Sequence, residues 1–159
     1  METFSVHPIG IVSGGGEGPA QLRIDPAYRD GLRGLEGFGH AVVTWWAHEV
    51  DDPELRKLTN AGRPYARLDH GLGIFATRSP LRPNPLALTV VELTAVDVQA
   101  GLMETPYLDA QDCTPILDLK PYTPSIDRIE HPTVPTWCTH WPASVETSDD
   151  FDWAGEFRF

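Results

Sequence analysis

The stretch ATRSPLRPNPLALTVVEL, Ala76–Leu93, sets Pro80, Pro83 and Pro85 around Arg78 and Arg82 and then runs into a strongly strand-forming sequence. Each proline fixes its own φ and pushes the residue before it (Ser79, Arg82 or Asn84) into extended backbone. A proline has no amide to give to a ladder, so the first half is unsuited to the middle of a sheet and reads as a stiff wall. The second half, from Leu86, is apolar and rich in β-branched residues, and reads as a strand. On such a backbone the two arginines face little further ordering cost in holding a ligand carboxylate or phosphate. The same pattern also describes a proline-rich surface crossover with solvated arginines.

Working outward, the neighbouring segments are mostly short strands. FSVHPIGIV (Phe4–Val12), QLRI (Gln21–Ile24), GHAVVTWWAHEV (Gly39–Val50), GIFAT (Gly73–Thr77), LALTVVELTAVDV (Leu86–Val98) and GLMETPYLDA (Gly101–Ala110) all carry strand composition. DPAYRDGLRGL predicts a brief helix, with Asp25 as N-cap, Pro26 at its first position, and Gly31 and Gly34 limiting its length. DDPELRKLTNAG predicts a short helix or turn, and TPILDLKPYTPSIDR a strand entering a proline-rich loop. Close-set strands, few helices and 15 prolines predict a mainly β, single-domain, barrel-like fold with short helical segments. The domain is expected over residues 1–140, followed by an acidic tail or arm over 141–159. Strand–helix alternation of the doubly wound kind is missing.

The chain has 159 residues, enough for a core without staples, and a net charge of −11. Nothing approaches the ~20 apolar residues of a membrane span, and the start has no leader-like pattern. Two cysteines, Cys113 and Cys138, make no disulfide framework, so a cytoplasmic location is expected. Nine of the 12 Lys and Arg residues lie between Arg23 and Arg82, so the acidic total leaves room for a basic face.

Several constellations have bland alternatives. The cluster Gly14, Gly15, Gly16, Gly18 fails as a phosphate cradle, because Pro19 stands where the last glycine would be and no Lys-Ser/Thr pair follows. His131, Cys138 and His140 match no common metal spacing, and no metal is expected. On one regular strand His40, Trp46 and His48 would share a face, as a binding stripe or as satisfied core side chains. Asp118, Lys120 and Tyr122 alternate along one strand face, as a surface ladder or a pocket floor.

FATRSPLRPNPLALTVVEL followed by DCTPILDLKPYTPSIDR resembles the signature pair of the TsaA-like (TrmO-type) family, S-adenosylmethionine-dependent tRNA adenosine N6-methyltransferases. The likeness extends to PIGIV at Pro8–Val12, GLEGFGHAVVTWWAH at Gly34–His48 and the glycine-rich loop before Gln21. It implies a β-barrel-like domain, often a homodimer, that methylates N6 of threonylcarbamoyladenosine at tRNA position 37. A same-fold enzyme acting on a small molecule and a non-catalytic S-adenosylmethionine-binding module are the alternatives.

Carried onto this chain, the resemblance implies cofactor contacts from Pro19, Ala20, Gln21, His48, Glu49, Arg78, Leu88, Asp112, Cys113, Thr114 and Pro115. Arg78 suits the cofactor carboxylate, and Trp46, Tyr122 or Asp112 the sulfonium. Asp118 or His48 is the candidate base, and Arg82, Asn84, Lys120 and Tyr122 are candidate substrate contacts. The chain departs from the family pattern at Ala20, where an arginine is usual, at Glu49, where an uncharged residue is common, and at Cys113 and Ala87, where glycine is usual. A glycine in the Asp112–Pro115 turn points to a positive φ, which cysteine tolerates poorly.

Overall fold

The apolar run His40–Trp46 forms an interior strand, paired on both sides, in a computed structural model that describes residues 2–16 and 18–158. Met1, Phe159 and Glu17, the last within the glycine-rich loop, lie outside the described residues. The strands are β1 (Gly10–Gly14), β2 (Ala20–Ile24), β3 (His40–Trp46), β4 (Asn60–Gly62), β5 (Leu72–Gly73), β6 (Leu86–Glu92), β7 (Ala95–Asp97), β8 (Leu102–Thr105) and β9 (Pro115–Pro121). Two four-residue helices, α1 (Pro124–Asp127) and α2 (Trp153–Glu156), and several 3-10 turns complete them. The chain forms two compact units, one of residues 1–52 and 84–128 and one of residues 53–83 and 129–159.

In the first unit seven strands make one antiparallel sheet in the order β6-β3-β9-β1-β2-β8-β7. The fold is mainly β with few helices. The barrel-like sheet is open, because β6 and β7 stand at its two ends rather than pairing with each other. Alternation along each strand sends Val12, Leu22, Val43, Val91, Met103 and Ile116 into one apolar core. Each buries enough apolar surface to contribute about 1.5–3 kcal/mol, before the entropy of ordering is subtracted. The opposite face carries Val42, Thr44 and Trp46 of β3 beside Val90, Leu88 and Leu86 of β6.

The second unit is built on rings instead. Tyr65 stacks on Trp137 at 5.0 Å and meets Trp141 edge-on at 4.9 Å. Trp153 lies against Trp141, Phe151 and Phe157. The chain end is tied to the Tyr65 segment by bonds from the Ala66 amide to the Glu156 carbonyl and from the Arg158 amide to the Pro64 carbonyl. Residues 129–159 belong to this unit together with residues 53–83.

Four local expectations change. The first strand begins at Gly10, not Phe4. Pro26–Leu32 is a 3-10 turn, and Asp25 makes no side-chain cap. GIFAT is a 3-10 turn over Ile74–Ala76, because Thr77 Oγ1 and Arg82 both bond to the Ile74 carbonyl and curl the chain there. Leu86–Val98 splits into β6 and β7, with Thr94 between them bonded to the Glu104 carbonyl.

Candidate functional site

Two loops of the first unit meet at one end of the sheet. The Gly14 amide donates to Asp112 Oδ1 at 2.9 Å, and the Gly16 amide donates to the Ala110 carbonyl at 2.7 Å. Between them Gly15 has φ +87°, and a Cβ there would run into the Ala110 carbonyl oxygen. The glycines thus serve close approach of two backbones, which no other residue permits. On the other side the Cys113 amide bonds to the Val12 carbonyl and the Val12 amide to the Thr114 carbonyl, both at 2.9 Å. Cys113 itself sits at φ 63°, the one positive φ outside glycine among the described residues. The glycine departure therefore puts a side chain where the turn demands left-handed backbone.

The Asp112 carboxyl lies below its ordinary value, first through the Gly14 amide and then through the Cys113 thiol. The same contact pushes the Cys113 thiol up, because a neighbouring carboxylate disfavours a thiolate. Cys113 is thus exposed but poorly disposed to react.

His48 does not extend a His-Trp-His stripe. β3 ends at Trp46, the Ala47 amide turns to the Pro85 carbonyl, and His48 begins a 3-10 turn. Its Nδ1 lies 3.5 Å from Oγ1 of the buried Thr114, next to the Asp112 turn, while Glu49 points to solvent. Trp46 Nε1 donates to Asp51 at 2.9 Å. Across the sheet Leu88 pairs with Thr44, and Thr44 with Asp118, so these three lie in one row over β6, β3 and β9. The register shifts between Thr44 and Trp45, just where Asp118 enters this row. Asp118 Oδ2 is engaged by Lys120 and Oδ1 by the Leu119 amide, so the acid and cation of β9 are paired with each other. Tyr122 is held by its amide to the His40 carbonyl, and its ring meets His40 edge-on.

A cleft of about 460 Å³ opens beside the joined loops, lined by Gly14, Pro19, Ala20 and Gln21 from the β1–β2 side and by Glu104 and Thr105 of β8. That volume suits a ligand of nucleoside size. Gln21 Nε2 donates to Glu104 Oε1 at 3.0 Å, and Arg23 donates to Gln21 Oε1 at 3.3 Å. Glu104 and Thr105 are the functional candidates that sequence reading missed. Their nearest clue was that Glu104 alternates with buried Met103 and Thr105, which sends it to the face that Gln21 occupies. The residues present suit a cationic nucleoside: an acid, an amide and short apolar walls, with no competing basic side chain in the lining.

Arg78, exposed, and Arg82 belong to the second unit. Arg82 Nη2 bonds the Thr77 carbonyl at 3.0 Å and the Ile74 carbonyl at 3.3 Å, so it braces the 3-10 turn it follows. The wall is stiffened further by hydroxyls, Thr77 Oγ1 accepting from the Ser79 amide and Ser79 Oγ from the Leu81 amide. Asn84 is exposed in the first unit, where its carbonyl accepts from the Leu86 amide. Among the described residues no group of three or more His, Cys, Asp or Glu side chains is placed to hold a metal ion. No helix among them is long and apolar enough to cross a membrane.

An open antiparallel sheet of this kind defines a mainly β domain, unlike the parallel nucleotide-binding folds. The chain belongs to the tRNA-methyltransferase O N-terminal domain family, whose model matches residues 13–128. It is 36% identical over 110 residues to the S-adenosyl-L-methionine-binding protein of Archaeoglobus fulgidus, covering 69% of this chain and 73% of that one. It is 35% identical over 102 residues to the tRNA (adenine(37)-N6)-methyltransferase of Escherichia coli K12, covering 63% of this chain and 43% of that enzyme. The crystal structure of TrmO from Pseudomonas aeruginosa superposes with a TM-score of 0.63 at 27% identity, covering 83% of this chain and 62% of that one. The chain thus spans about three-fifths of that structure and less than half of the Escherichia coli enzyme.

Proposed function

We propose that this protein is an S-adenosylmethionine-dependent methyltransferase whose acceptor is N6 of threonylcarbamoyladenosine at position 37 of tRNA. The observation that carries the reading is the Gly14–Asp112 bond, which ties the Asp112–Thr114 turn to the β1–β2 hairpin that holds Pro19, Ala20 and Gln21 beside the cleft. The family resemblance assigns Pro19–Gln21 and Asp112–Thr114 to the cofactor, and the bond between Gly14 and Asp112 joins their two stretches of chain across 98 residues.

The cofactor supplies a methyl group on a positively charged sulfur. When bound, it would give that methyl to the acceptor nitrogen, which would release a proton, and would leave as a neutral thioether. The protein's task is mainly to hold the two reactants in line. Of the two candidate bases His48 is favoured, because both Asp118 oxygens are already engaged by Lys120 and the Leu119 amide. In the tautomer whose Nδ1 donates to Thr114 Oγ1, Nε2 of His48 is left to accept a proton. Leu88, 56% exposed on its strand, offers an apolar surface for an adenine ring.

A small-molecule acceptor is the second reading, and charge distribution favours it. Arg56, Lys57, Arg63, Arg67, Arg78 and Arg82 share one unit with the acidic stretch Glu146–Glu156, which offsets their field. Mass spectrometry of tRNA nucleosides from cells with and without the gene separates the two. Loss of the N6-methylated threonylcarbamoyladenosine supports the tRNA reading, and an unchanged nucleoside profile overturns it.

A further inference from the structure

We infer that Glu104 is a ligand-binding residue, and that its carboxylate receives the positively charged methionine portion of the cofactor in the cleft beside Gln21. The inference rests on the reading of the ligand as S-adenosylmethionine, and adds a residue outside the set drawn from the resemblance.

Glu104 lies on β8 opposite Gln21 of β2 in the antiparallel register. Both side chains stand on the sheet face away from the core, since their neighbours Leu22, Met103 and Thr105 are buried. Among the described residues lining the cleft, Glu104 alone is charged. Its Oε1 is pinned by Gln21 Nε2 at 3.0 Å, and Gln21 is held in turn by Arg23. The backbone beneath is also fixed, because the Glu104 carbonyl accepts from both the amide and the hydroxyl of Thr94. The carboxylate is therefore preorganised, and a cation meeting it loses little to ordering.

An S-adenosylmethionine molecule carries two cations, the sulfonium and the α-ammonium, and a single half-buried carboxylate at the wall of its cleft complements either. Ala20 beside Gln21 brings no charge, so no cation from that position competes for Glu104.

Glu104→Gln tests this by charge alone, because an amide oxygen can still accept from Gln21. Isothermal calorimetry on the full chain should show about a tenfold weaker Kd for S-adenosylmethionine. The Kd for uncharged 5′-methylthioadenosine should be unchanged. S-adenosylhomocysteine, which keeps the ammonium but has a neutral sulfur, locates the contact. A parallel loss places Glu104 on the ammonium, and an unchanged Kd places it on the sulfonium. Equal Kd values for S-adenosylmethionine in the wild type and the variant overturn the inference while leaving the cofactor reading intact. An equal loss for 5′-methylthioadenosine also overturns it, as a structural effect. A wild-type chain that binds none of the three overturns the cofactor reading and the inference with it.

Discussion

The Gly14 amide donates a 2.9 Å hydrogen bond to the Asp112 carboxylate, closing the glycine-rich loop onto a turn 98 residues further along the chain. That contact shapes one end of the cleft, since Gly14 is among the residues that line it. Asp112→Ala should therefore weaken S-adenosylmethionine binding several-fold with little change in melting temperature, the side chain being exposed. Because the carboxyl is held below 3.8, this contribution should persist through neutral pH and fade only in stronger acid. Calorimetry at pH 7 with an unaltered Kd would argue that the loops join without it.

Cys113 occupies left-handed backbone at φ 63°. Cys113→Gly relieves the clash of Cβ with the carbonyl but frees the unfolded chain, so the net gain is modest. The melting temperature should rise by about 2 °C. A fall in thermal scans would show that the side chain earns its place by packing.

In the second unit His140 Nε2 and Glu156 Oε2 lie 2.9 Å apart, and both side chains are largely buried. Burial pushes the Glu156 carboxyl up, but the His140 bond, the neighbouring Trp141 and the charges of His140 and Arg67 outweigh it and lower it. A depressed carboxyl stabilises above its unfolded value and loses that effect as pH falls through the folded one. Acid should thus loosen this unit below about pH 4.5, and Glu156→Ala should cost about 2 kcal/mol at pH 7. Tryptophan fluorescence follows it directly, as Trp137 and Trp141 pack on Tyr65.

The family resemblance implies Arg78 as the partner of the cofactor carboxylate. Arg78→Ala should weaken S-adenosylmethionine about tenfold and leave 5′-methylthioadenosine, which has no carboxylate, untouched. Equal affinities for S-adenosylmethionine in both proteins would remove Arg78 from the site.

If tRNA is the acceptor, its affinity should fall steeply between low and moderate salt, since phosphate contacts release counterions. A flat dependence in filter binding would favour the small-molecule reading.

Much of the sheet was legible because its signals are local. The β-branched runs at Ala41–Val43 and Thr89–Val91 read as strands without reference to anything distant, and the proline spacing at Pro80, Pro83 and Pro85 announced a stiff segment. The glycine departure at Cys113 pointed to a positive φ that the backbone has. The misreadings arose where a distant bond decides. GIFAT curls because Arg82 reaches back to Ile74, and the aromatic strand stops at Trp46 because Ala47 turns to Pro85.

The sequence by itself determined the strand-rich class, the stiff Ala76–Pro85 wall and the family pattern, since composition and spacing act over a few residues. Only the tertiary structure decided that the wall is itself divided after Pro83, with Asn84 and Pro85 in the unit of the strand that follows, and that Arg82 braces its own turn. It also set Glu104 beside Gln21, 83 residues away, because antiparallel register is fixed by burying Leu22 and Met103 together rather than by anything in either segment alone.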